Sequence, residues 1–235
     1  MKKVSIIVTC WNKVHFMVFC GMATINSIRI YTDPKDYELI VMQTGMDLWD
    51  GHETLGLKDI KDDTIYIKRP LEQDQGNSAD MNEGAKLAHG EYLVFIENDV
   101  ILHENWLPNM LYYLEHDLAD VVVPTQYRAT WETMKEWKDK SMEEGIENGL
   151  QDAGMLMIRK DKFEQAGGWN EKIKQIYMWK AFVNRLNKIG ARIITTQKVF
   201  MSHITGISYW WQYMFDSEHY GEVTAQENKD IEEDK

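Results

Sequence analysis

Short runs of apolar and β-branched residues recur along the first two thirds of the chain, each followed by a stretch with helical spacing, and this alternation restricts the fold more than any other feature. The runs are too continuously apolar for strands wetted on one side. They read as strands buried on both faces, the signature of a parallel sheet covered by helices. Strands are predicted at Val4–Val8, Glu38–Met42, Thr64–Ile67, Tyr92–Ile96 and Asp120–Val123, and helices at Lys13–Ile28, Ser78–Ala88 and Asn105–Leu114. After Pro124, the polar stretch Trp131–Gly149 carries Trp131, Met134 and Trp137 on one side and reads as an amphipathic helix or an acceptor-side insertion. Gly154–Arg159 then reads as a strand, Ile173–Ile189 as a helix ended by Gly190, and Arg192–Thr196 and Val199–Ser202 as two further strands. At 235 residues the chain suits one large core. A single domain over 1–221 is expected, and the acidic, aperiodic Glu222–Lys235 is expected to be a disordered tail.

A formal net charge of −12, with no basic stripe, argues against a general grip on nucleic acid, which needs clustered Lys and Arg. An acidic chain that binds a diphosphate needs a divalent cation or helix N-termini to offset repulsion. Cys10 and Cys20 form neither a disulfide framework nor a zinc pattern, and point to reducing cytoplasm. The apolar run Val4–Val8 is too short for a signal peptide and reads as a strand. No run approaches the roughly 20 apolar residues that span a bilayer.

The chemistry gathers between Gly76 and Trp106. The apolar strand Tyr92–Ile96 delivers Glu97-Asn98-Asp99 at its carboxyl end, where open α/β sheets bind ligands. Residues 97 and 99 alternate with 98, so two carboxylates can share one side as hard oxygen ligands for Mg²⁺ or Mn²⁺. Such an ion stabilises charge on a departing phosphate as a Lewis acid. The plain alternative is a turn or a helix cap.

Several segments in order resemble family 2 glycosyltransferases. Ser5-Ile6-Ile7-Val8-Thr9-Cys10-Trp11-Asn12 is similar to their first strand and base-contacting turn. Asn82-Glu83-Gly84 with Ala88-His89-Gly90-Glu91-Tyr92 and the acidic triplet is similar to their most recognisable block. Gly154–Arg159, Phe163 and Gly167-Gly168-Trp169-Asn170-Glu171 resemble the acceptor-side segment, and Val199–His203 with Gly206 and Ser208 a closing strand whose histidine reaches the metal in some members. The resemblance covers about residues 3 to 208. It implies a single-domain GT-A fold, Rossmann-like, with a mostly parallel sheet flanked by helices. It also implies transfer of a sugar, with inversion, from a nucleotide-diphosphate sugar, UDP-linked by preference, to a hydroxyl acceptor.

On that resemblance Asp99 ligates the metal with His203 in support, and Thr9, Asn12, Gln43, Asn82, Glu97 and Asn98 line the donor. The chain departs from the family at three places. Gln43 stands where an aspartate usually holds the nucleoside, and Asn170 replaces an acceptor-side aspartate. Met178-Trp179 falls where the usual Glu-Asp base is expected. Glu171 or Asp152 then serves as base, Glu171 preferred, or the reaction needs no enzyme base, or the domain binds donor without catalysis. Trp169, Trp179, Trp210 and Trp211 are candidates for stacking on a sugar ring. The apolar Ile207–Phe215 is expected to pack on the body or against a second copy of the chain.

Overall fold

The computed structural model describes residues 3–47, 64–126, 139–149, 154–174, 177–204 and 217–233. Strand β1 (Val4–Asn12) is followed by α1 (His15–Tyr31), β2 (Tyr37–Gly45), β3 (Thr64–Arg69), α2 (Asn77–Leu87) and β4 (Tyr92–Glu97). These four strands pair in parallel in the order β3-β2-β1-β4, as the alternating pattern predicts. The chain continues through β5 (Val100–Leu102), α3 (Trp106–Glu115), β6 (Val121–Gln126), β7 (Ile146–Asn148), β8 (Met155–Arg159) and α4 (Lys160–Gln165). It ends with α5 (Met178–Lys188), β9 (Ile193–His203) and α6 (Ser217–Glu233).

Among the described residues the sheet has nine strands, and beyond β4 it becomes mixed. Strand β8 runs antiparallel to both β4 and β6, β6 pairs in parallel with β9, and β5 and β7 lie antiparallel to β9. Successive strand residues face opposite sides, so each run of apolar residues feeds two cores. Ile6 and Val8 pack with Val18, Met22 and Ile25 of α1 and with Leu107 and Met110 of α3. Ile7 and Phe95 pack with Met81 of α2, Phe163 of α4 and Phe182 of α5 on the other face. Helix α2 approaches β1 closely through Gly84, where a Cβ would stand 2.5 Å from Ile7 Cγ2. Among the described residues no helix is long and apolar enough to cross a membrane.

Four expectations need correction. The two late strands are one, β9, whose pairing with β6 shifts register between Pro124 and Thr125. The sequence break at Gln197-Lys198 is therefore an irregularity inside a strand. Of the helix expected at Trp131–Gly149, residues 127–138 lie outside the described residues, but Ile146–Asn148 is a strand held to β9. The helix expected from Ile173 starts at Met178. Most of the expected disordered tail is α6: Glu227 and Ile231 are buried one turn apart, and the Glu227 carboxylate accepts the Lys174 and Tyr177 N–H groups at 2.9 and 3.1 Å. An acid on the buried face hid the helical period.

Candidate active site

Parallel register sets where the site forms. Thr9 lies opposite Met42 on one side and Glu97, the last residue of β4, on the other, while β1 and β2 run on to Asn12 and Gly45. Their carboxyl ends form one edge, the position at which open α/β sheets bind ligands. Strand β9 arrives at the same edge by a different route, because the β5–β9 pairing places Val100 opposite His203.

The result is a three-residue cluster, with one potential ligand atom from each of Glu97, Asp99 and His203 within 4.8 Å of the others. His203 Nε2 stands 3.1 Å from Asp99 Oδ1 and 3.7 Å from Glu97 Oε2. The cluster is held from behind. Glu97 N–H donates to the Gly154 carbonyl at 2.8 Å, and Ile204 N–H to the Asp99 carbonyl at 2.9 Å. Asn98, between the acids, donates its amide to the Met17 carbonyl at 3.5 Å and so anchors the turn on α1.

Asp99 is 8 % exposed, and its Oδ1 is buried without a hydrogen-bond partner. The imidazole nitrogen 3.1 Å away is close enough for ion pairing but is not aligned as a donor. Leaving such an oxygen unmatched costs about 1–3 kcal/mol, more when charged. Two carboxylates and an imidazole satisfy a hard divalent ion of the Mg²⁺ or Mn²⁺ type, and the unmatched oxygen fits that use.

Around the other strand ends the expected donor residues are buried and mostly committed. Thr9 is 2 % exposed and its hydroxyl is buried without a partner. The Asn12 amide donates to the Met46 carbonyl at 3.0 Å while its oxygen is buried and unmatched. Gln43 is fully buried, accepts a hydrogen bond from the Tyr66 hydroxyl and donates to the Gly45 carbonyl at 3.4 Å. Asn82, expected to line the donor, clasps the loop before α5. Its oxygen accepts from Trp169 N–H at 2.9 Å, and its amide donates to the Trp169 carbonyl at 3.0 Å and to Glu171 Oε1 at 2.8 Å.

Trp169 meets Trp179 edge-on at 5.0 Å, and Trp179 donates to Glu97 Oε1 at 2.9 Å. Trp169 is 1 % exposed and stacks on Phe182 at 4.2 Å, so it is core rather than a sugar platform. Asp152, Trp210 and Trp211 lie outside the described residues.

Sequence reasoning missed a charged group beside the donor edge. Arg69 at the end of β3 pairs with Asp80 at 2.6 Å and with Glu83, both on α2. Gln75 donates to Asp80 at 3.3 Å, and Trp11 donates to Asp74 at 3.0 Å. Burial pushes the Asp80 carboxyl up from its ordinary value, against the Gln75 hydrogen bond and the Arg69 charge. The signal was available: two acids three residues apart on a helix that otherwise buries Met81, Gly84 and Ala85.

The chain and its fold have known relatives. The model of "Glycosyl transferase family 2" matches residues 5–185. The poly(ribitol-phosphate) beta-N-acetylglucosaminyltransferase TarP of Staphylococcus aureus (strain N315) is 31 % identical over 128 residues, covering 52 % of this chain and 36 % of TarP. The crystal structure of S. aureus TarS superposes with a TM-score of 0.59 at 14 % identity, covering 96 % of this chain and 42 % of TarS. Its 1–349 fragment gives 0.58 at 14 % identity, covering 96 % of this chain and 70 % of the fragment. The chain thus spans about a third of TarP's length and less than half of TarS. The chain belongs to glycosyl transferase family 2, a family of sugar-transferring enzymes, and has the GT-A fold.

Proposed function

We propose that the chain transfers a sugar from a nucleotide-diphosphate sugar, UDP-linked by preference, to a hydroxyl acceptor, with Mn²⁺ or Mg²⁺ bound by Glu97, Asp99 and His203. The buried, unmatched Asp99 Oδ1, two residues past the carboxyl end of β4, carries this reading. When bound, the ion supplies Lewis acidity toward the leaving diphosphate. The chain's own residues do the rest. Glu97, Asp99 and His203 fix where the diphosphate rests, and the strand-end residues Thr9, Asn12 and Gln43 form the wall for the nucleoside. Arg69, tied to Asp80 and Glu83, holds α2 against β3 beside that wall.

In the transfer the acceptor oxygen bonds to the anomeric carbon as the carbon–oxygen bond to the diphosphate breaks, and the hydroxyl proton passes to a base. Attack opposite the leaving group inverts the centre. The two carboxylates considered for that role are Glu171, which accepts from the Asn82 amide, and Asp152. TarP's name gives it a poly(ribitol-phosphate) acceptor and an N-acetylglucosaminyl group; for this chain we propose the hydroxyl class alone. A cytoplasmic setting agrees with Cys10 and Cys20, both free and buried.

The test is donor turnover with Mn²⁺ for wild type, Asp99→Ala and Asp152→Asn, together with thermal shifts against UDP-, GDP- and dTDP-sugars. Wild-type turnover that Asp99→Ala abolishes supports the reading. Donor-dependent stabilisation without turnover or hydrolysis would leave a nucleotide-sugar-binding domain in place of an enzyme.

A further inference from the structure

We propose that Trp179 is a positioning residue for Glu97: its indole N–H holds one carboxylate oxygen so that the other, Oε2, is presented toward His203 and an incoming divalent cation. The proposal rests on the metal reading above. Helix α5 begins at Met178, so Trp179 sits in its first turn, where the family resemblance places a carboxylate base. The side chain instead turns to the donor half and donates to Glu97 Oε1 at 2.9 Å.

The indole is held rigidly. Trp169 meets it edge-on at 5.0 Å and 87°, Trp169 in turn stacks on Phe182 at 4.2 Å, and Phe95 closes on Trp169 at 5.3 Å. Phe95 and Glu97 lie two residues apart on β4, on one face, so strand and helix brace the same corner. A glutamate left to itself gives up rotamer freedom when it is fixed. Here the fold fixes it before any ion arrives. The remaining oxygen, Oε2, lies 3.7 Å from His203 Nε2, and the same nitrogen lies 3.1 Å from Asp99 Oδ1. Partners one step behind a metal's ligands typically change metal affinity by about 10–100-fold.

The experiment is a double-mutant cycle read as Mn²⁺ affinity by calorimetry or by the electron-spin signal of free Mn²⁺. Trp179→Phe, which keeps the aromatic packing and removes the donor, is expected to weaken Mn²⁺ binding about 10-fold. In a Glu97→Ala background the same change is expected to have no further effect. An equal loss in both backgrounds means that Trp179 acts only through packing, and no loss in either means that it does not position Glu97; both results overturn the proposal. Asp99→Ala distinguishes the parent reading: if it binds Mn²⁺ as well as wild type does, the metal site itself is wrong and the proposal falls with it. Wild type gives a second reading should Trp179→Phe fail to fold. Mn²⁺ should broaden the Trp179 indole N–H resonance before that of Trp106, which is bonded to Thr32 at the far end of α1. Equal broadening of the two would also overturn the assignment.

Discussion

Gly154→Ala tests whether His203 is fixed by packing. Gly154 precedes β8 with φ +143°, a backbone conformation that side chains other than glycine rarely adopt. A Cβ built there stands 2.9 Å from both Cε1 and Nδ1 of His203 and 3.2 Å from Val100 Cγ2. Ordinary contact starts near 3.4 Å, so the imidazole must retreat by about half an ångström or more. Metal–ligand distances tolerate only about ±0.2 Å. The His203 side chain, 9 % exposed, has little room to retreat. The backbone strain adds about 1–3 kcal/mol, which for a domain of this size lowers Tm by about 2–12 °C. Calorimetry with and without Mn²⁺ separates the two effects. Expected are a Tm loss in that range without metal and, in addition, at least a roughly 10-fold loss of Mn²⁺ affinity. A variant that loses Tm yet binds Mn²⁺ within about two-fold of wild type would refute the claim that Gly154 seats the imidazole.

Glu38 offers a pH test at the opposite end of the sheet. Burial raises its pKa, but the Ser5 hydroxyl, the His89 backbone N–H and the His89 ring bring it below the ordinary 4.5. A depressed carboxylate stabilises the fold above its unfolded pKa and loses that contribution as pH falls through the folded value. Glu38→Gln should therefore lower stability by about 1–3 kcal/mol at neutral pH and flatten the decline of Tm below about pH 4.5, both read by thermal scans across pH. Glu227→Ala should leave the Lys174 and Tyr177 N–H groups unmatched and raise hydrogen exchange throughout Ser217–Glu233; unchanged exchange would show that the helix docks by other contacts. Phe182→Ala should cost about 3–5 kcal/mol by denaturant melting, because it removes the ring on which Trp169 stacks.

Strands β1, β2 and β4 were legible because each is a near-continuous apolar run, and burial on both faces writes itself into composition; β3 is only partly buried. Glu97 and Asp99 were legible for the same reason, as acids terminating such a run. His203 was readable only as a resemblance, since its place depends on the antiparallel pairing of Val100 with His203, and no local period encodes a register across so long a stretch of chain. Strand β5, three residues long, left no periodic signal of its own. The contacts of Asn82 and Glu171 were hidden for a related reason. Both are polar residues in a recognisable block, and only the packed structure shows that they bind each other and the Trp169 backbone. Trp179 offered no hint of its partner, because an indole reads as core until its N–H is seen to reach a carboxylate.

The Val100–His203 register also bears on how the chain completes its fold. A slip of β9 by one residue against β5 would bring Ser202 or Ile204 opposite Val100 and turn the imidazole to the other side of the sheet. An ion held jointly by Glu97, Asp99 and His203 would then lose a ligand, so its binding free energy favours one pairing of the last strand over its neighbours. At the proposed metal site, a bound ion would thereby favour the native pairing of the last strand over its one-residue neighbours.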